Sequence, residues 1–256
     1  MRLLISPAKK LDALQYDRQA TLSQPRFLPQ AKQLVDILAQ KSAPEIATLM
    51  KLSTNLAELN ETRFQQWQTP FTTDNAHPAI FFFAGDVYQG LQAASLSTAD
   101  IDFAQEQLRI LSGLYGILRP LDLIQPYRLE MGTRLTTPLG RTLYDFWGAT
   151  LTHQLNHELG DDSVLINLAS EEYFKSIHRH DICCPIITPV FREYKNGSYK
   201  IVSFYAKRAR GLMARFMIQN RIENVADLKA FNVDGYAWNA NQSDATNWVF
   251  TRHQNI

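Results

Sequence analysis

The residues with the clearest chemical potential are cations. Between Glu193 and Glu223 lie 29 residues without a single acid, carrying Lys195, Lys200, Lys207, Arg208, Arg210, Arg215 and Arg221. Phosphate recognition is the chemistry they suit, because a guanidinium presents a planar fork of donors that matches phosphate oxygens. Lys207, Arg208 and Arg210 are predicted to open a helix directly after a strand, in Tyr205-Ala-Lys-Arg-Ala-Arg-Gly-Leu-Met-Ala-Arg-Phe216, with no Glu four residues away to pair with them. Cations there oppose the helix dipole unless an anion joins them. A second stretch holds Arg109, Arg119, Arg128, Arg134 and Arg141 against only Asp122 and Glu130. The plainer reading of both runs is a solvated surface, with the side-chain stems covering apolar area.

The second stretch also contains two closely spaced glycines, in Leu108-Arg-Ile-Leu-Ser-Gly113-Leu-Tyr-Gly116-Ile-Leu-Arg-Pro120. A helix that stops at a glycine and restarts with free backbone amides is how a helix-hairpin-helix element grips a phosphate without reading bases. Leu114-Tyr115 places two residues between the glycines where the usual hairpin has one, and Pro120 keeps any second helix under two turns. A helix stop followed by a structural turn accounts for the same glycines.

Other constellations are weaker. His153 and His157 share a helix face at i,i+4, but His153-Gln-Leu-Asn-His157 lacks the Glu of a zincin, and no Glu-x-x-His of the ferritin type occurs. Neither a metal nor a cofactor is expected. Ser6-Pro-Ala-Lys9 has the Ser-x-x-Lys spacing of acyl-transfer enzymes without their companion motifs. Asp86, Tyr88, Glu171, Glu172 and Lys175 are candidates for a nucleotide- or phosphate-handling site, although carboxylates beside helix starts also serve the helix itself. No P-loop or GxGxxG is present. Met213 and Met217 read as core.

The elements that must position these groups follow from apolar spacing. Leu3 to Ser6 predicts a buried strand; Pro29 to Met50, broken near Pro44, predicts helix, as do Leu56 to Trp67 and Asp100 to Leu111. Ala79 to Ala84 is a continuous apolar run suited to a buried strand. Strand-like runs follow at Val164 to Leu168, Ile186 to Tyr194, Tyr199 to Tyr205 and Trp248 to Thr251, with Asn196-Gly197 marking a hairpin between the middle two. Helices are expected at Thr142 to Leu159, Glu171 to Ile177 and Lys207 to Asn220. No linker divides the chain, so residues 1–256 are expected to form a single interwoven α+β domain, with a mixed sheet, an antiparallel hairpin and flanking helices.

The 256 residues, 45% hydrophobic, exclude a disordered chain. Adjacent Cys183 and Cys184 are badly placed for a disulfide, and no apolar run approaches a membrane span. A cytoplasmic protein without membrane contact is therefore expected. The net charge of +1 conceals polarity: the two basic stretches carry +7 and +3, leaving −9 elsewhere.

The chain resembles the YaaA family of bacterial peroxide-stress-resistance proteins. The resemblance is carried by Ser6-Pro-Ala-Lys-Lys-Leu-Asp12, Gly85-Asp-Val-Tyr-Gln-Gly90, Leu108 to Arg134, Tyr144-Asp-Phe-Trp-Gly148, Ile166 to Lys175 and Val202 to Phe216. It implies a cytosolic protein that limits hydrogen peroxide damage and is linked to low free iron, with an α+β fold, a basic cleft and DNA binding through a helix-hairpin-helix-like element. Carried onto this sequence, the hairpin falls on Ser112 to Pro120, including Gly113 and Gly116. The cleft charges fall on Lys9, Lys10, Arg109, Arg119, Arg128, Arg134, Lys175, Lys207, Arg208, Arg210 and Arg215. Duplex DNA, bound largely independently of sequence, is the expected partner. An enzyme or binder of a phosphorylated metabolite using the same cleft is the alternative.

Overall fold

The computed structural model describes residues 1–16, 21–160 and 163–253. The chain opens with strand β1 (Arg2–Ile5) and the short β2 (Lys10–Leu11). Three helices follow, α1 (Leu28–Leu38), α2 (Ala43–Met50) and α3 (Thr54–Gln66). The break between the first two falls just before Pro44, which sits in the first turn of α2 behind a Ser42–Glu45 capping box. Next come β3 (His77–Pro78), a single helical turn α4 (Ala79–Phe82), β4 (Phe83–Ala84), α5 (Asp86–Leu91) and α6 (Thr98–Gln107). The Ala79 to Ala84 run is thus mostly helical. Continuous apolarity reports burial on every side, which a helical turn satisfies as well as a strand; all four residues of α4 are buried.

The helix predicted over Asp100 to Leu111 ends at Gln107, and the chain continues as β5 (Leu108–Ser112), β6 (Gly116–Leu118) and β7 (Leu123–Ile124). A helix-hairpin-helix element is therefore absent from Ser112 to Pro120, where the chain forms an antiparallel β-hairpin with Ser112 opposite Gly116. Leu114 and Tyr115, at its tip, are fully buried. Gly116 takes a positive φ of 70°, and the Gly113 carbonyl accepts from Trp147 Nε1 at 3.1 Å. The two glycines serve a tight turn packed under an indole, and no helix N-terminus is offered there to a phosphate.

Helices α7 (Leu143–Trp147) and α8 (Thr150–Glu158) are separated at Gly148, whose φ of 46° interrupts the helix predicted over Thr142 to Leu159. They lead to β8 (Leu165–Leu168), α9 (Glu171–Phe174) and the long β9 (Ile186–Lys195). Asn196 and Gly197, both at positive φ, turn β9 into β10 (Ser198–Lys200), as the Asn-Gly signal predicts. Helix α10 (Ser203–Gln219) begins earlier than expected, and strand structure stops at Lys200 rather than reaching Tyr205. Ala206, Ala209, Met213 and Met217 form its buried stripe. Lys207, Arg208 and Arg210 accordingly ride on its second and third turns, where opposition to the dipole has largely faded. The chain closes with β11 (Ala237–Trp238) and β12 (Asn247–His253).

The main sheet runs in the order β11-β12-β9-β8-β1-β5-β6, with β10 also paired to β9. β1 lies parallel to both β5 and β8, β8 is parallel to β9 and β12 is parallel to β9, while the hairpin pairs are antiparallel. The fold is α+β with a mixed sheet flanked by helices. β1 feeds a connection that returns on one side of it, at β5, whereas its other neighbour β8 feeds the opposite side, at β9. The carboxyl ends of β1 and β8 therefore flank a point where the winding reverses, and crevices at such points are where open α/β sheets bind ligands.

Candidate functional site

A cleft of about 560 Å³ lies at this reversal. Its floor comes from the chain leaving β1, Ser6 to Lys10, and from the chain leaving β8, Ser170 to Tyr173. One wall is Ala84 to Tyr88, the start of α5; Glu130 stands at an edge, and α10 contributes Lys207 and Arg210. The register of the parallel pair, with Ile5 opposite Leu168, brings both strand ends to one level. There Ser170 N donates to Ser6 Oγ at 2.9 Å, and Ser6 Oγ lies 3.3 Å from Ser170 Oγ. The Tyr88 hydroxyl donates to the Ser6 carbonyl at 3.2 Å. Burial pushes the Tyr88 and Tyr173 phenols well above their ordinary range, so both are neutral hydroxyls at physiological pH.

Helix α10 reaches the cleft because two glycines let it press against α5. A Cβ at Gly211 would overlap the Val87 carbonyl oxygen, and one at Gly90 would overlap the Arg208 carbonyl oxygen. Backbone-to-backbone approach of this kind is what glycine permits. Arg215 fastens the same pair by donating from Nη1 to the carbonyls of Leu91 and Gln92, both at 3.0 Å.

The charged groups of the cleft divide into satisfied and unsatisfied. Lys9 Nζ pairs with Glu130 Oε2 at 2.7 Å, and Arg128 donates to the other oxygen of Glu130 at 3.3 Å. Lys10 lies 3.8 Å from Asp12. Glu172 Oε1 accepts from the Gly132 amide at 2.9 Å. Asp86, Glu171, Lys207 and Arg210 have no ion pair or side-chain hydrogen bond among the described residues. Arg210 is the most telling of them. Desolvation lowers its pKa from the ordinary value, and none of the cavity's acids is within ion-pair distance of it, yet a guanidinium remains protonated and so presents an unpaired charge to the cleft.

The remaining sequence candidates fall elsewhere. Arg109 is buried in β5, held by Glu158 at 2.6 Å and by the Gln105 and Leu108 carbonyls. Arg119 pairs with the buried Asp122 at 2.9 Å. Arg208 and Arg215 leave the cleft on other faces of α10, and Arg134 is exposed outside it. Lys175 stands over the Tyr144 ring at 5.0 Å, and the Tyr144 hydroxyl donates to the Glu172 carbonyl. The two basic stretches thus do not merge into one face; of the second, only Arg128 borders the cleft, through Glu130. Ser6 and Lys9, spaced as in acyl-transfer enzymes, engage different partners. His153 and His157 are exposed on α8, and among the described residues no group of three His, Cys, Asp or Glu side chains could hold a metal ion. None of the described helices is long and apolar enough to cross a membrane.

Sequence reasoning passed over the paired role of Ser6 and Ser170. Its trace is present: two short apolar strands each run out at a small residue and then a serine or proline, Ile5-Ser-Pro7 and Leu168-Ala-Ser170. What was missing is that these strands are neighbours, since 164 positions separate the two serines.

Comparison with known proteins places close relatives along the entire chain. A family model described as peroxide stress protein YaaA matches residues 1–242. A UPF0246 protein of Colwellia psychrerythraea is 54% identical over 256 residues, covering 99% of this chain and 100% of its own. A UPF0246 protein of Hahella chejuensis is 53% identical over 254 residues, covering 98% and 99%. That of Ralstonia pickettii is 54% identical with the same coverage.

Proposed function

Since this chain belongs to the peroxide stress protein YaaA family, we propose that it serves the peroxide response by binding DNA phosphates along the basic rim of the cleft. The observation that carries this reading is the convergence of Lys9 and Lys10 with Lys207 and Arg210, about two hundred positions apart, the latter two free of acid partners among the described residues. Phosphate contacts of this kind supply affinity with little sequence preference. They also displace condensed cations from the duplex. Iron(II) held loosely on DNA is such a cation, so occupancy of the backbone would keep Fenton chemistry away from it, in line with the link to low free iron that the family resemblance implies.

Mobility-shift titration across salt tests the proposal. Neutralising about four phosphates gives a slope of roughly −4 in log K against log[salt], and removing one cation flattens it by about 1. Lys207→Ala should therefore weaken binding equally on unrelated duplexes. A salt-independent interaction, or unchanged binding by the Lys207→Ala, Arg210→Ala double variant, would overturn it.

A second reading, a cleft that binds or converts a phosphorylated metabolite, is favoured by Asp86 and Glu171. These carboxylates, unpaired among the described residues, line the same cavity as the cations, and a bare polyanion would be repelled by them.

A further inference from the structure

Resting on that second reading, we infer that the cleft is a site for one nucleotide-sized, hydroxyl-bearing phosphate monoester, its phosphate on Arg210 and Lys207 and its sugar hydroxyls on Asp86 and Glu171. Four observations carry the assignment. The cavity sits at the carboxyl ends of β1 and β8 where the sheet winding reverses, the position in which such sheets bind nucleotides and related ligands. Its volume of about 560 Å³ falls in the range of small-molecule sites. The guanidinium of Arg210 is half-buried in the cleft wall without an ion-pair partner among the described residues, which leaves it a demand for one anion.

The fourth observation selects the rest of the ligand. Asp86 and Glu171 oppose an anion unless the ligand also brings donors, because an ionised carboxylate only accepts hydrogen bonds. A sugar phosphate or nucleotide meets both demands in one molecule, with an acid taking ribose hydroxyls as in dinucleotide-binding folds. Inorganic phosphate does not. The apolar surfaces of Ala8, Val87, Tyr88 and Tyr173, which line the same cavity, provide cover for a planar base, since aromatic side chains present extended apolar faces. The Ser6–Ser170 contact and the Tyr88–Ser6 hydrogen bond make the floor rigid before a ligand arrives, which lowers the ordering cost of binding.

Isothermal titration of the full chain with a ribonucleoside 5′-monophosphate, the matching nucleoside, ribose 5-phosphate and inorganic phosphate tests this. The monophosphate should bind saturably at one site, with the nucleoside at least tenfold weaker. Arg210→Ala should weaken the monophosphate about tenfold or more and leave the nucleoside unchanged. Asp86→Asn with Glu171→Gln should weaken the monophosphate while inorganic phosphate binds as well or better, a reversal that simple loss of folding cannot produce. Binding of ribose 5-phosphate but not of the nucleotide would overturn the nucleotide-sized assignment and leave the phosphorylated-metabolite reading standing. Binding of none of the phosphates would overturn both. A monophosphate that binds equally well to Arg210→Ala would overturn the placement of its phosphate.

Discussion

His77 shows how a single half-buried side chain makes this protein sensitive to pH. Its ring lies 4.8 Å from that of Phe82, and desolvation lowers its pKa below the ordinary value. The unfolded chain, with an imidazole pKa near 6.5, then takes up a proton more readily than the folded one. Stability is full above about pH 6.5 and declines as pH falls through the unfolded value towards the lower folded one, where the loss levels off. His77→Phe, which keeps a ring against Phe82, should flatten that decline; thermal melts between about pH 7 and pH 5 that remain as steep as for the native chain would contradict it. Arg109 illustrates the limits of reading residues singly. Sequence reasoning counts it among cleft cations, yet it is buried against Glu158, because a residue in the middle of an apolar strand is placed by its strand.

At the scale of elements, the contact between α5 and α10 governs the cleft, for it sets Asp86 and Val87 against Lys207 and Arg210. Gly211→Ala adds a methyl into the Val87 carbonyl. Overpacking of this kind costs about 1–3 kcal/mol, more than the roughly 1 kcal/mol that alanine contributes as a better helix former. A lower denaturation midpoint together with weaker DNA or nucleotide binding is the expected result; an unchanged midpoint would show that the helices separate freely. Much of the helix and strand inventory was legible in the sequence. The Asn196-Gly197 hairpin, the α1–α2 break near Pro44 and the β1 strand follow from turn chemistry and apolar spacing, both of which act over a few residues. The hairpin over Ser112 to Pro120 did not follow, since its glycines fit a helix stop and a strand turn equally. The packing of Leu114 and Tyr115 into the core, with Trp147 over the turn, selects the strand form. The true start of α10 escaped for a related reason: Tyr199 to Tyr205 alternates well enough for a strand, but Ser203 to Tyr205 form the outward-facing first turn of the helix, whose buried stripe begins at Ala206.

Across the whole molecule, the sheet draws on both ends of the chain. β1 from the N-terminus lies near its centre, and β12 from the C-terminus pairs with β9 from Asn247↔Thr188 to His253↔Tyr194. Removing residues from 247 onward should take the buried Val249 and Phe250 out of the core, uncover Phe191 and Phe231, which pack against Phe250, and leave β9 unpaired on one edge. Such a chain is expected to lose cooperative unfolding and to aggregate; a soluble, cooperatively melting truncation would show that β12 is dispensable. The sequence by itself determined the family resemblance, the α+β class, the local turns and the existence of acid-free basic segments, because each depends on residue type and short-range spacing. The location of the candidate site was a tertiary decision. Ser6 meets Ser170, and Lys9 and Arg210 come to line one cleft, only through the parallel register of β1 with β8 and the glycine-mediated contact of α10 with α5. Those juxtapositions depend on strand order and on how closely backbones can approach. Neither is encoded in any local window of residues.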